Sequence, residues 1–229
     1  MLLSVENLRK EFSVGLLGRK RVTAVDDLSF ELDEGRTLGL VGPSGCGKSS
    51  AARCVLRLLR PDGGKITFRG EDITYLPARK LRHLGREMAL VAQSPQESID
   101  PLFTASRAIE QPLILHAKDL NAHERHMRVH ELMEMVGLGH DLGSRHPHQL
   151  SGGQLQRVAI ARALALGPSL IVADESTSML DVLVQAQILR LLKSIQKETG
   201  VSYLFISHDR AVVDFMSHDV VEMDAPDGR

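Results

Sequence analysis

The chain has 229 residues, of which 43% are hydrophobic and 25% are charged, and its formal net charge is -1. This composition is typical of a soluble globular protein with one large or two small domains, and the balanced charge argues against a nucleic-acid partner. No uncharged apolar run approaches about 18 residues, and the first residues lack the long apolar region of a signal peptide. We therefore expect no membrane span, so that any membrane role would require a partner.

The first predicted elements are strands over residues 2–12 and 22–32, separated by a polar loop that contains Gly15 and Gly18. A third strand, residues 37–41, is apolar throughout and is followed directly by a glycine-rich loop. The next segment, residues 50–59, carries apolar side chains at helical spacing. Together these patterns predict a buried strand, a glycine loop and a helix in succession.

The glycine-rich loop has the pattern G-x-x-x-x-G-K-[ST], which is typical of a phosphate-binding P-loop. Its glycines let backbone amides close around phosphates, and the helix start adds partial positive charge. Lys48 supplies a point charge for the outer phosphates, and the Ser49 hydroxyl is a magnesium ligand. The residues that we predict to contact the nucleotide here are Gly42, Pro43, Ser44, Gly45, Cys46, Gly47, Lys48, Ser49 and Ser50.

The two cysteines of the chain are Cys46, inside this loop, and Cys54, on the helix behind it. A disulfide between them would distort the loop, so a reducing compartment fits best. If the loop holds phosphate, a thiol reagent is expected to attack Cys46 when the loop is empty, and bound ATP is expected to protect it.

After the first helix, apolar strands alternate with helical segments, which predicts a parallel sheet with helices on both faces. One region, about residues 102–150, is helical in pattern and interrupts the alternation, so we predict a helical subdomain inserted into an α/β core of residues 1–92 and 155–229. The predicted segments are strands at 65–69, 88–92, 169–173, 201–206 and 220–223, helices at 77–84, 154–166, 183–197 and 210–216, and a loop at 93–101.

Polar residues follow several predicted strands, at the sheet edge where α/β proteins bind ligands. Asp174 can hold magnesium, and the neighbouring Glu175 can polarise the water that attacks the γ-phosphate. Gln93 can reach magnesium or that water through its amide, and His208 can contact the γ-phosphate. Without the P-loop, a helix cap or surface pair would be the simpler interpretation of Asp174 and Glu175, and a structural role that of His208.

A second glycine pair, Gly152 and Gly153, follows Ser151 and opens a predicted helix. Residues of this kind form either another oxyanion-binding helix start or a simple N-cap. The run from Leu150 to Gln154 resembles the signature motif of ATP-binding cassette (ABC) ATPases. The other motifs of this family occur in the expected order: the P-loop at 42–49, the Q-loop glutamine at Gln93, the Walker B pair at Asp174 and Glu175, the D-loop at 178–181 and the switch histidine at His208.

The resemblance covers nearly the whole chain and implies one ABC ATPase domain. Its fold would be α/β, a P-loop NTPase core with a mainly parallel sheet, an N-terminal antiparallel β subdomain and an inserted α-helical subdomain. In this family two ATPase subunits face each other head to tail, and each ATP lies between one P-loop and the other subunit's signature motif. The implied cofactors are ATP and Mg²⁺, and a second ATPase subunit is the implied partner.

The same resemblance implies roles for individual residues. Ser151, Gly152, Gly153 and Gln154 would contact the ATP of the second subunit, Asp181 would contact nucleotide from the D-loop, and Phe12 would stack on adenine. A buried aromatic at a strand end remains the alternative for Phe12. The implied catalytic residues are Glu175, His208 and Gln93, and the implied magnesium ligands are Ser49, Gln93 and Asp174.

Several stretches further resemble the oligopeptide, dipeptide and nickel branch of import ATPases. They are residues 15–19, 24–26, 43–49, 98–101 and 180–189. This resemblance implies an ATP-hydrolysing subunit that powers import of a small solute, a peptide, nickel or related cargo. It would act at the cytoplasmic face of the inner membrane, with two polytopic permease subunits and, indirectly, an extracytoplasmic solute-binding protein. The alternative is a soluble ABC ATPase of a cytosolic enzyme complex, such as one for phosphonate degradation.

Two features depart from the family pattern. Ser176 stands where proline usually follows the Walker B pair, which alters a turn, and the chain ends soon after residues 220–223, where many relatives continue with an extension. The early end argues against a regulatory or metal-cluster tail, and it is also compatible with a truncated chain.

Histidines crowd the helical region between residues 116 and 148. His126 and His130 are four residues apart, a spacing that suits metal ligands on one helix face. The sequence shows no carboxylate or cysteine that completes a convincing ligand set, so we interpret these histidines as polar surface.

Overall fold

The structure is a computed structural model that describes residues 1–14, 20–77, 79–81, 83–177 and 180–224. The predicted glycines of the first loop, Gly15 and Gly18, lie outside the described residues. So do Ser178 and Met179 of the predicted D-loop and the last five residues of the chain.

The elements follow the alternation that the sequence predicts. The strands are β1 (Leu3–Val14), β2 (Lys20–Leu32), β3 (Thr37–Val41), β4 (Gly63–Phe68), β5 (Glu71–Asp72), β6 (Met88–Val91), β7 (Leu170–Asp174), β8 (Ser202–Ser207) and β9 (Asp219–Glu222). The α-helices are α1 (Lys48–Val55), α2 (Leu84–Glu87), α3 (Pro95–Ser98), α4 (Ala105–His116), α5 (Ala122–Met135), α6 (Gly152–Leu164), α7 (Val182–Thr199) and α8 (Arg210–Met216). Short 3-10 helices cover His140–Ser144 and Pro147–Gln149.

The chain divides into two units, the first formed by Met1–Gly85 with Ser202–Arg229. An antiparallel sheet in this unit has the strand order β2-β1-β4-β5. Strand β3 lies between β8 and β9 and is parallel to both. All five residues of β3 are buried, as expected for a strand with parallel neighbours on both sides. Helix α1 packs against β1, β2 and β8, and so carries the P-loop between the two sheets of this unit.

The second unit is Arg86–Val201. Strands β6 and β7 are parallel, with Met88 opposite Leu170 and Val91 opposite Ala173. Helix α6 packs against β6 and against α4, α5 and α7. Its buried face includes Leu155, Val158 and Ile160, which explains how a helix that opens with two glycines is held in place.

Parallel strands with helices and a separate antiparallel sheet match the predicted fold class. Two predicted helices differ from the structure in position or length. Helix α1 ends at Val55 instead of residue 59, because Arg57 adopts a left-handed φ of 56° and its guanidinium bonds the Ile73 carbonyl. The helix predicted over 77–84 is wrong in position, since α2 begins only at Leu84. Arg79 and Lys80 would place positive charge at the start of the predicted helix, where it is unfavourable.

The loop predicted at 93–101 contains the single helical turn α3. The boundaries of the predicted helical subdomain, 102–150, stay a prediction, because the division of the chain by contacts gives Arg86–Val201 instead. Within the described residues, no helix combines the length and the apolar character needed to cross a bilayer.

Candidate functional site

The P-loop connects the buried strand β3 to helix α1, as the sequence predicts. Gly47 precedes α1 with a φ of 103°, a left-handed conformation that glycine adopts without strain. A Cβ atom on Gly47 would lie 1.7 Å from the Ala24 carbonyl oxygen. Gly47 is therefore required both by the backbone conformation and by the close approach of β2.

Lys48 is the first residue of α1 and is only 4% exposed. Its Nζ donates hydrogen bonds to the carbonyl oxygens of Gly42, at 2.7 Å, and Pro43, at 2.9 Å. These bonds satisfy a buried ammonium that has little water around it. The loop thus curves around its own lysine, and no side chain caps the start of α1, whose first turn has no acidic residue. This arrangement favours an anion at the helix start.

Cys46 is 1% exposed, and its Sγ lies 3.8 Å from Lys48 Nζ. The thiol lies beneath the loop, so a thiol reagent can reach Cys46 only when the loop moves, and the expected labelling and its protection by ATP stay predictions. Both cysteines are free, as predicted. Burial raises the pKa of the Cys54 thiol to about 11, which makes it a poor nucleophile.

His208 follows β8, and Gly42 follows β3. Val41 and Ser207 are register partners in these parallel strands, so Gly42 and His208 leave the sheet side by side. His208 is exposed, and Asp209 after it caps α8 by accepting hydrogen bonds from Ala211 and Val212. The structure thus brings two sequence-predicted site positions to one edge of the first unit.

Phe12 is 37% exposed on β1, and the Lys10 ammonium lies 5.3 Å from its ring centre. It is paired with Val22 of β2, two residues from the Ala24 carbonyl that touches Gly47. The ring is therefore not the fully buried strand-end aromatic of the alternative, and its contact with adenine stays a prediction.

In the second unit, β7 ends at Asp174, which is 7% exposed. The next residue, Glu175, has a left-handed φ of 46°, a conformation uncommon for glutamate and frequent at functional sites. Its Oε2 accepts a hydrogen bond of 3.1 Å from Nε2 of Gln93. The register of β6 and β7 accounts for this contact, because Val91 lies opposite Ala173. Two residues predicted separately are thereby brought together.

Ser176 and Thr177 follow as buried polar residues, and Thr177 Oγ1 accepts a hydrogen bond from Gln185 of α7. The buried Ser176 hydroxyl has no hydrogen-bond partner among the residues that the structure describes.

The signature residues begin α6. Ser151 Oγ accepts a 3.2 Å hydrogen bond from Gln154 N, and Gln154 Oε1 accepts a 2.9 Å bond from Ser151 N. This is a complete capping box, so the N-cap interpretation of Ser151 is correct as local structure. A Cβ on Gly152 would make an ordinary 3.5 Å contact with Leu180, whereas one on Gly153 would lie 2.6 Å from Val184 Cγ1.

Asp181 caps α7, accepting hydrogen bonds from Leu183 N and Val184 N. Its predicted contact with nucleotide stays a prediction.

Val184 and Ala24 were not anticipated as partners of the motif glycines. The sequence indicates these close contacts only indirectly. Glycine stands at positions where a helix or loop would otherwise accept a larger residue.

A family model described as "ABC transporter" matches residues 25–178, more than half of the chain and all of the motifs from the P-loop to the Walker B pair. The chain belongs to the ABC transporter family.

Relatives of this ABC transporter chain align along almost all of it. It is 45% identical over 217 residues to the oligopeptide transport ATP-binding protein OppF of Bacillus subtilis, covering 94% of this chain and 70% of OppF. It is 46% identical over 226 residues to the glutathione import ATP-binding protein GsiA of Pectobacterium atrosepticum, covering 97% of this chain and 36% of GsiA. A probable peptide ABC transporter ATP-binding protein of Sinorhizobium fredii is 45% identical, and the chain covers 64% of its length. The chain thus spans from about a third to 70% of these relatives.

Solved structures agree with the family assignment. The ATP-binding cassette MJ0796, a dimer in a post-hydrolysis state bound to ADP and phosphate, matches with a TM-score of 0.87 at 30% identity over 98% of this chain and 97% of that one. CbiO1 of Clostridium perfringens, part of an ABC transporter complex, matches with a TM-score of 0.84 at 26% identity over 97% and 84%. The predictions of an ABC ATPase and of its fold class are confirmed.

Proposed function

We propose that this ABC ATPase powers import of a small solute through membrane permease subunits. The observation that carries the proposal is the similarity over 94–97% of the chain to proteins named for oligopeptide transport and glutathione import. These relatives do not favour the alternative, an ATPase of a soluble enzyme complex for phosphonate degradation. A small peptide-like solute is the cargo that their names support best.

We assign hydrolysis to Glu175, which polarises the attacking water. Its backbone is left-handed directly after β7, and one of its carboxylate oxygens accepts a hydrogen bond from Gln93. A carboxylate at this position can accept a proton from water. His208, exposed beside the first residue of the P-loop, is assigned to the γ-phosphate.

ATP is assigned to the P-loop residues 42–50, with Lys48 exchanging its loop carbonyls for phosphate oxygens and Phe12 contacting adenine. The magnesium ligands that we assign are Ser49, Gln93 and Asp174. Their donors are a hydroxyl, an amide oxygen and a carboxylate, which are the hard oxygen ligands that Mg²⁺ prefers. When bound, the ion would neutralise charge on the phosphates.

A second ATPase subunit is required if Ser151, Gly152, Gly153 and Gln154 act on nucleotide as the family resemblance implies. The relative MJ0796 is itself a dimer, which supports this assignment. We further assign Asp181 to the nucleotide-contacting side of that dimer. The proposed assembly contains two ATPases and two polytopic permeases at the cytoplasmic face of the inner membrane, supplied by an extracytoplasmic solute-binding protein.

Replacing Glu175 with Gln tests the assignment of the catalytic base. The substitution keeps an oxygen that can accept the Gln93 hydrogen bond, so we expect ATP binding to survive. Hydrolysis should fall by about 100-fold or more, since general base catalysis contributes about 10²–10⁴-fold. Phosphate release and nucleotide affinity are the two measurements. Glu198→Gln, at an exposed position near the end of α7, is the matched control and should hydrolyse normally. Normal hydrolysis by Glu175→Gln would remove Glu175 from this role.

Purification of the chain from its native cells distinguishes the importer from the alternative. Recovery from detergent-solubilised membranes with two polytopic subunits supports import. Recovery in the soluble fraction with catalytic subunits of a cytosolic enzyme contradicts it.

A further inference from the structure

Helix α5 and the 3-10 helix after it bring together side chains that the ATP chemistry does not use. The Nε2 atoms of His126 and His130, one helical turn apart, are 3.0 Å from each other. The His130 ring stacks on His140, with 4.5 Å between ring centres. His140 Nε2 in turn lies 3.0 Å from Glu134 Oε1. We refer to His126, His130, Glu134 and His140 as the histidine cluster.

The sequence alone showed only the pair on α5. Glu134 extends the same helical stripe by one further turn, and His140 reaches it from a different element. The carboxylate and the third imidazole that were missing from the sequence interpretation are therefore supplied by the fold.

The distance between the two α5 nitrogens has a chemical consequence. Metal–imidazole bonds are about 2.0–2.1 Å long, so two such nitrogens on one ion are about 2.9 Å apart at a right angle and about 3.3 Å apart in a tetrahedron. The observed 3.0 Å lies within that interval. Neutral imidazole is the form of histidine that binds metal.

We propose that the histidine cluster binds a divalent late first-row transition metal ion, with Nε2 of His126 and Nε2 of His130 as ligands and His140 as the third. Within the described ranges, no three histidine, cysteine or acidic side chains are already arranged around one point. His140 therefore has to rotate away from Glu134, and it has room to do so because its side chain is 43% exposed and that of Glu134 is 70% exposed. Water completes the coordination, and Glu134 can accept a hydrogen bond from a bound ring or water.

Imidazole ligands select this class of ion, whereas Mg²⁺ prefers oxygen. An ion held by all three histidines joins α5 to the 3-10 helix that begins at His140. Because the ion binds only the folded arrangement, it also stabilises the chain. The site is independent of the proposed transport function.

The experiment uses the full chain without nucleotide and with any affinity tag of histidines removed. Zn²⁺ and Mg²⁺ are titrated separately by calorimetry, and thermal unfolding is followed with and without each ion. We expect one Zn²⁺ per chain, a higher unfolding temperature with Zn²⁺ and no saturable Mg²⁺ binding. Since loss of a partner of a metal ligand already costs about 10–100-fold in affinity, His126→Ala and His130→Ala should each weaken Zn²⁺ binding by at least about 10-fold.

His123→Ala is the matched control, because His123 is exposed on the same helix but outside the histidine cluster. It should bind Zn²⁺ as the wild type does. Unchanged affinity in His140→Ala would overturn its place as third ligand. The whole proposal fails if Zn²⁺ does not saturate a site, or if both α5 substitutions leave the affinity and the unfolding shift intact. Should an alanine variant fold poorly, His130→Gln provides the same comparison with a larger side chain.

Discussion

Two helix starts in this chain are assigned to phosphate, and they are built differently. Helix α1 begins after Gly47 with no side-chain cap. Helix α6 begins after Ser151, which forms a capping box with Gln154. The first start has no capping side chain, which leaves room for the phosphate that we assign to it. The second is a stable helix terminus in its own right.

The difference matters because a hydroxyl has one proton and two lone pairs. Ser151 uses a lone pair to cap α6 when it accepts from Gln154 N. Its proton remains a donor, so capping does not compete with a phosphate oxygen of a second subunit. The capping box instead fixes where the hydroxyl lies. In the proposed dimer, α1 of one subunit would supply half of the phosphate site through its glycines, and α6 of the other subunit would supply the second half through a side chain oriented by its own cap.

The largest expected effect is that of Gly47→Ala. The new Cβ would meet the Ala24 carbonyl oxygen, and no rotamer relieves this clash because the backbone positions Cβ. The loop must move, and hydrogen bonds to charged phosphate are each worth about 1.5–3 kcal/mol. We expect ATP affinity to fall by about 100-fold or more, as measured with a fluorescent nucleotide analogue.

Gly70→Ala is the control for Gly47→Ala. Gly70 also has a left-handed φ, of 81°, but its Cβ would have no atom within 4 Å. It should lose about 1–2 kcal/mol of stability, in line with the strain of this conformation, and keep its ATP affinity. Equal losses of affinity in both variants would mean that backbone strain, and not the contact with β2, makes the glycine necessary.

The next effect concerns the packing of α6 on α7. Gly153→Ala would place Cβ 2.6 Å from Val184 Cγ1, and valine in a helix has one strongly preferred rotamer. Overpacking costs about 1–3 kcal/mol, which outweighs the roughly 1 kcal/mol gained by alanine over glycine in a helix. We expect lower stability in urea unfolding.

Two variants check this packing argument. Gly152→Ala makes only an ordinary contact and should be as stable as the wild type or more so. Val184→Ala should restore the stability of Gly153→Ala. If it does not, the loss has another origin than the contact with Val184.

The smallest effect on stability is that of Ser151→Ala, which removes the cap and costs about 1 kcal/mol. Asn121→Ala removes the corresponding capping box of α5 and should cost a similar amount in thermal unfolding. Only Ser151→Ala should also abolish ATP hydrolysis, because it loses the donor assigned to phosphate. Ser151→Asp separates the two roles, since aspartate caps as well as serine but repels phosphate. Its stability should be normal and its hydrolysis absent, and active Ser151→Asp would contradict the assignment.

The parts predicted correctly from the sequence are those in which a local pattern has one physical solution. An apolar strand, two glycines and a lysine in fixed spacing predict the path through Gly42, Gly47 and Lys48. Likewise, Gln93 and Glu175 were each placed after a strand. Their 3.1 Å contact depends on the pairing of β6 with β7, which the pattern of either strand alone does not specify.

The wrong or missing predictions have different physical causes. The burial of Cys46 was not predicted, because it depends on the hydrogen bonds by which Lys48 curves the loop over the thiol. The helix predicted before Leu84 begins later, because local charge opposes it. His140 was not connected with His130, because the turn that joins them has no pattern in the sequence comparable to the helical repeat of α5.

The left-handed backbone of Glu175 has a consequence for how this protein would evolve under selection for thermal stability. A glutamate with φ near 46° carries strain of about 1 kcal/mol or more, which glycine at that position would release. A population selected only for resistance to heat should therefore tend to lose the residue to which we assign catalysis. In this chain, the strained backbone at Glu175 lowers stability at the same residue to which we assign catalytic activity.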